Sequence, residues 1–183
     1  MLTTEKKKYT EQDYMMLEEG APFQLINYDL IMSPAATPQH QLISGEIYSA
    51  ILDFLKETKN KGAVIYSPVD VAFNEGNIYQ PDLIFISADR KAELIKKRIE
   101  GAPDMVVEIL SPSNAYYDLR QKKDIYEKYG VKEYLIVDPV QETIEIHFLE
   151  NGVYKMKGKA NKTEQLASII LPGLKFDLAK IFA

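Results

Sequence analysis

Residues 104–110 read DMVVEIL, and the turn-forming run Ser111-Pro112-Ser113-Asn114 follows them. In an extended strand the side chains alternate, so Asp104, Val106, Glu108 and Leu110 share one face while Met105, Val107 and Ile109 share the other. A run that is apolar on both faces belongs in the middle of a sheet, covered on two sides. Glu108 interrupts that run. A carboxylate is rarely buried there without a partner, so both the fold and the chemistry turn on what compensates Glu108.

A second strand candidate, residues 79–87, repeats the arrangement. Asp82 stands directly after Pro81 and opens the apolar run Leu83-Ile84-Phe85-Ile86. If neighbouring strands bring the two carboxylates to about 5 Å, their repulsion at an effective dielectric near 20 is roughly 3 kcal/mol. One proton or one cation must resolve it. Magnesium or manganese suits such oxygen ligands and accepts one or two carboxylates while keeping waters. A helix expected over residues 118–129, stopped by Gly130, offers a positive partner. On it Leu119, Ile125, Tyr126 and Tyr129 define an apolar face, and Lys122 points near the centre of that arc. An ammonium in a core-facing stripe is costly unless it reaches a carboxylate or water.

Working outward, Thr10 caps a short helix over residues 10–20, and residues 23–33 read as a hairpin around Asn27 to Asp29. A turn-rich linker spans residues 33–38. Ile43, Ile47, Ile51, Phe54 and Leu55 recur at helical spacing, predicting the longest helix over residues 39–56. Residues 63–73 form the first of three successive strands, and residues 89–99 form a polar helical segment on the surface. After Gly130 the pattern returns to strands. These are residues 133–138, then 143–150 paired with 152–157 across Asn151-Gly152, with residues 172–183 closing the chain. This order predicts an α/β (α+β) architecture: one mixed sheet flanked by helices, with β-hairpin additions at both ends. No repeat or linker divides the chain, so residues 1–183 are expected to form a single domain.

The 183 residues suffice to bury a core without a structural metal or disulfide. Cysteine is absent, which excludes thiol catalysis and zinc-thiolate sites. The charged amino terminus lacks a signal-peptide core and no apolar run spans a bilayer, so a cytoplasmic location away from membranes is the expectation. A formal net charge of −5 repels phosphate as a whole and disfavours a protein that passively coats DNA.

Several words of the sequence resemble a known family. Gln80-Pro81-Asp82 and Val107-Glu108-Ile109-Leu110 look like the two halves of the PD-(D/E)XK nuclease motif of the restriction-endonuclease-like fold. More narrowly, the chain is similar to the Uma-two family of bacterial proteins described as restriction endonucleases. The matching words are Gly101-Ala102-Pro103-Asp104 leading through Glu108 to Leu110-Ser111-Pro112-Ser113, the stretch YEKYGVKEYLIVDP at residues 126–139, and the closing LPGLKFDLAKIF. His40 after the Ser33-Pro34 turn fits as well. The resemblance runs from about Tyr9 to the end. It implies a metal-dependent endonuclease acting on nucleic acid, DNA by expectation, with Asp82, Glu108 and the Ile109 backbone carbonyl holding Mg2+ or Mn2+ and Lys122 as the third catalytic group. Duplex cleavage would favour a homodimer.

The sequence also departs from the pattern. Leu110 stands where the superfamily has its lysine, and in the Uma-two pattern that lysine comes from the following helix, where periodicity places Lys122. Gln24 replaces a common glutamate and Asn27-Tyr28 an Asp-Gly, so an auxiliary acidic contact is expected to be missing. A non-catalytic nucleic-acid-binding or regulatory module is therefore the alternative. For Glu108 the alternative is a purely structural buried ion pair with Lys122, for Lys122 a side chain that snorkels to solvent, and for Asp82 a strand-entry or turn carboxylate after proline. His40 shares a helical face with Ile43 and Ile47 and suits either a core position or the site. Glu46, on the rim of that face, could reach a metal through water, although a solvated position suits it better. Asp70 and His147 read as structural, and Lys96, Lys97 and Arg98 as a solvated face.

Overall fold

The computed structural model describes residues 7–18, 20–33, 35–111 and 115–183. Residues 112–114 of the turn after DMVVEIL, Pro34 of the linker and the Leu119 side chain lie outside the described part. In chain order the elements are α1 (Glu11–Met15), β1 (Phe23–Ile26), β2 (Asp29–Met32), α2 (Pro38–Glu57), β3 (Ala63–Tyr66), β4 (Val71–Asn74), β5 (Asn77–Tyr79) and β6 (Leu83–Ile86). Then come α3 (Lys91–Leu94), β7 (Ile99–Glu100), β8 (Met105–Ile109), α4 (Ala115–Tyr129), β9 (Glu133–Asp138), β10 (Thr143–Glu150), β11 (Val153–Asn161), β12 (Gln165–Ala167), β13 (Lys175–Asp177) and α5 (Leu178–Ile181).

DMVVEIL forms the central strand of a six-stranded mixed sheet, in the order β11-β10-β9-β8-β6-β3. β8 runs antiparallel to β6 and parallel to β9. Its side chains separate as alternation requires. Met105, Val107 and Ile109 join Leu83, Phe85 and the α2 residues Ile43, Ile47 and Ile51 in one core cluster. Val106 joins Ile84, Ile86, Tyr126 and Tyr134 in the other, under α4. Helices therefore cover both faces, and the strand has no wet side.

The single sheet expected from the sequence is in fact divided. A second, five-stranded sheet has the order β2-β1-β5-β4-β7, and β12 with β13 makes a third. Two prolines explain the division. Pro68 and Pro81 have no N–H to give a ladder, so the run 63–73 splits into β3 and β4, and the run 79–87 keeps only β6 after Pro81 while its first residue, Tyr79, closes β5. The pieces on the two sides of each proline join different sheets. The expected hairpin at residues 23–33 forms, with Asn27 and Tyr28 both at positive φ of 49° and 66°.

The helices differ from expectation mainly in length. Thr10 caps α1 as predicted, but the helix ends at Met15. α2 begins at Pro38, with the Thr37 side chain accepting from the His40 N–H at 3.2 Å. Residues 89–99 hold a single turn, α3, and the short strand β7. α4 starts at Ala115, earlier than residue 118, and stops at Gly130, whose φ of 87° is the left-handed conformation a helix end uses. β12 and the terminal helix α5 were not anticipated. No helix among the described residues is long and apolar enough to cross a membrane.

Candidate active site

The register of β6 against β8 pairs Leu83 with Val107 and Ile84 with Val106. Continued by one residue, it sets Asp82 opposite Glu108. β6 ends there, so the Ile109 N–H has no strand partner on that side, and Asp82 supplies one: its Oδ2 accepts that N–H at 2.7 Å. The other oxygen, Oδ1, lies 3.2 Å from His40 Nε2 in the first turn of α2. Pro81 thus ends one strand and Asp82 stitches the gap with its side chain.

Glu108 is 5% exposed and Lys122 8% exposed. The Lys122 ammonium donates to both Glu108 oxygens, at 3.0 Å and 2.9 Å, and the Tyr126 hydroxyl donates to Oε1 at 2.5 Å. Lys122 and Tyr126 are one helical turn apart, so both reach inward from the same face of α4. Burial pushes the Glu108 carboxyl above its ordinary value; Lys122 opposes this, the nearby Asp82 charge adds to it, and the net direction is upward. Tyr126 is likewise pushed well up, first by burial and then by Glu108. His40 is raised because Asp82 accepts its hydrogen bond, with burial opposing.

Asp82, Glu108, Ile109, Lys122, His40 and Gln24 all line one cavity of about 910 Å³. Gln24 is tied into its wall, donating to Ser33 Oγ at 2.7 Å and accepting from the Gln80 N–H at 2.9 Å. It fixes the residue that precedes Pro81-Asp82. Glu46 is exposed and does not line the cavity, so the structure keeps it apart from the other candidates. Asp70 accepts from Tyr14 and Gln80, and His147 sits beside Glu145 on β10. Arg98 is not a solvated cation, since it pairs with Glu11 and Glu100. Tyr126 was missed as a site residue because periodicity registers a tyrosine as apolar. The available signal was its position four residues after Lys122.

As donors for a metal, Asp82, Glu108 and the Ile109 carbonyl offer only oxygen, the chemistry a hard divalent cation takes. Among the described residues there is no group of three or more His, Cys, Asp or Glu side chains that could hold a metal ion. A cation between the two acids would retain several waters.

Residues 9–179 match the model of the Uma2 family, described as "putative restriction endonuclease". The chain belongs to the Uma2 family. The Uma2 chain also superposes on the crystal structure of a protein from Anabaena variabilis, described as a "putative nuclease belonging to DUF820", with a TM-score of 0.78 and 18% identity over 94% of this chain and 97% of the other. At that identity the likeness establishes the fold, a restriction-endonuclease-like mixed sheet flanked by helices. No protein of curated function matches this Uma2 sequence.

Proposed function

We propose that this chain is a divalent-metal-dependent endonuclease that hydrolyses phosphodiester bonds, with DNA as its nucleic acid. The observation that carries the reading is the convergence of Asp82, Glu108 and Lys122 in one cavity, two acids from adjacent strand ends and a cation from the following helix. A structural ion pair explains Glu108 with Lys122. It does not explain a second acid set opposite them, whose charge raises Glu108 further.

The oxygen donors fit magnesium or manganese, and Asp82, Glu108 and the Ile109 carbonyl are the groups that would hold the ion. Bound there, it would polarise a phosphoryl oxygen and lower the pKa of a coordinated water. The remaining roles belong to the chain. Lys122 carries the positive charge at the acid pair and is placed to donate to a phosphate oxygen or to orient the attacking water. Tyr126 fixes the Glu108 carboxylate from the buried side. His40 and the Ile109 N–H each hold one Asp82 oxygen, and Gln24 anchors the segment leading to it. Residues 1–183 act in this reading as one domain with one site, so cutting both strands of a duplex would take a homodimer.

A time course with labelled oligonucleotides and supercoiled plasmid, with magnesium, with manganese and with chelator, tests the reading. Metal-dependent internal cleavage that is lost in Asp82→Asn, Glu108→Gln and Lys122→Ala is expected. Full activity in Glu108→Gln or Lys122→Ala would end the assignment. A specific observation favours a second reading, a module that binds nucleic acid without cutting it: both ends of the Gln24 amide serve structural hydrogen bonds where the family commonly has an acid. Binding without cleavage by the unaltered protein in either metal is its signature.

A further inference from the structure

We propose that the strand entering this cavity is unpaired: the site takes single-stranded nucleic acid or a frayed end in preference to an intact duplex. This rests on the nucleic-acid reading above for the identity of the site, but it is argued from the rim and the charges of the cavity.

The rim is apolar and open. Met32, Tyr66 and Val140 all line the cavity, and all are large hydrophobic residues left exposed. Tyr66 is 60% exposed, and its ring is braced edge-on by Tyr48 at a centroid distance of 5.2 Å. An ordered aromatic ring open to solvent at the mouth of such a site is a stacking platform for a base, and only an unpaired base has a free face to offer it.

The charges point the same way. Proteins that grip duplexes neutralise many phosphates with lysine and arginine. Among the described lining residues Lys122 is the only lysine or arginine, and it is engaged by Glu108. The lysines of the β10–β11 hairpin and of the turn after it are likewise engaged: Lys155 and Lys157 pair with Glu150, Lys159 with Glu145 and Lys162 with Glu142. The lining offers neutral amides and hydroxyls instead, among them Gln39, Gln41, Thr37 and Ser67. Such groups can donate to and accept from the Watson–Crick edge that an unpaired base exposes.

The test compares one labelled sequence as single-stranded DNA, single-stranded RNA, blunt duplex and tailed duplex. Cleavage is followed in magnesium and manganese, and binding by fluorescence anisotropy in calcium. One or both single strands should be bound and cut at least about tenfold better than the blunt duplex, with the tailed duplex cut in its tail. Tyr66→Ala should weaken single-strand binding about tenfold while Tyr66→Phe retains it. The salt slope should be shallow, no steeper than about −2, as for one or two phosphate contacts. Equal or better use of the blunt duplex, or unchanged binding in Tyr66→Ala, overturns the proposal, as does absence of binding by every form. If single strands bind with the Tyr66 dependence but none is cut, the strand preference stands and the hydrolytic reading falls.

Discussion

Two buried acids four residues apart, Asp104 and Glu108, meet opposite treatment. Asp104 is 2% exposed and accepts from the Ser87 N–H, the Ser87 hydroxyl, Arg90 and Lys132, all between 2.8 and 3.0 Å. Burial alone pushes its carboxyl up, but Lys132, Ser87 and Arg90 outweigh this and bring it down to about 2. Glu108 has Lys122 and Tyr126, yet burial and the second acid keep it raised. The fold can compensate a buried carboxylate fully, as Asp104 demonstrates, and at Glu108 it stops short. Acids held at a raised level beside another acid in an open cavity cluster at functional sites.

The largest expected effect separates the two in function. Glu108→Gln should lower cleavage about a thousandfold, and because it leaves the buried Lys122 ammonium without its counter-charge it should also lower stability by about 3 kcal/mol. Asp104→Asn should leave turnover within about threefold and lower stability by about 2 kcal/mol through lost charge-assisted hydrogen bonds. A loss of turnover in Asp104→Asn as deep as in Glu108→Gln would erase the contrast. The pH dependence sharpens it further. The folded-state value of Asp104 is depressed, so its stabilisation is complete above the ordinary 3.8 and is lost as pH falls toward about 2. Wild type should therefore lose more stability than Asp104→Asn across that window. Glu108 has the opposite sign: being raised, its ionised form is penalised, and protonation on acidification relieves rather than adds strain.

Tyr126→Phe tests the support behind Glu108. Removal of one hydrogen bond should cost about 1 kcal/mol of stability, and a carboxylate less well fixed should lower cleavage about tenfold. Unchanged cleavage would confine Tyr126 to packing.

Local periodicity reached the middle of the molecule and stopped at long-range pairing. The alternation in residues 104–110 marks a central strand, and the helical arc on α4 singles out Lys122, because both signals depend only on near neighbours. The second sheet depends on β1 meeting β5 and β4 meeting β7, contacts no local pattern encodes. Pro68 and Pro81 were the visible signs that the runs around them must break. Glu46 was kept open as an auxiliary group from its place on the rim of a helical face, and the fold turns that rim outward. The compensation of Asp104 was not legible either, since Ser87 and Arg90 come from the turn after β6 and Lys132 from just before β9, both distant in sequence from Asp104.

The smallest expected effect divides the compensation of Asp104 among its partners. Lys132 and Arg90 both reach Oδ1, at 2.8 and 3.0 Å. By distance alone Lys132 is the stronger contact. Its side chain is 52% exposed against 24% for Arg90, so water screens it and an exposed pair contributes little. Arg90 also donates to the Ala102 carbonyl at 3.0 Å, holding the approach to β8. Lys132→Ala should therefore lower stability by no more than about 0.5 kcal/mol, and Arg90→Ala by about 1 to 2 kcal/mol. A larger loss at Lys132 would mean that charge, rather than the fixed geometry of Ser87 and Arg90, holds Asp104 down, and the distinction from Glu108 would then rest on one exposed lysine.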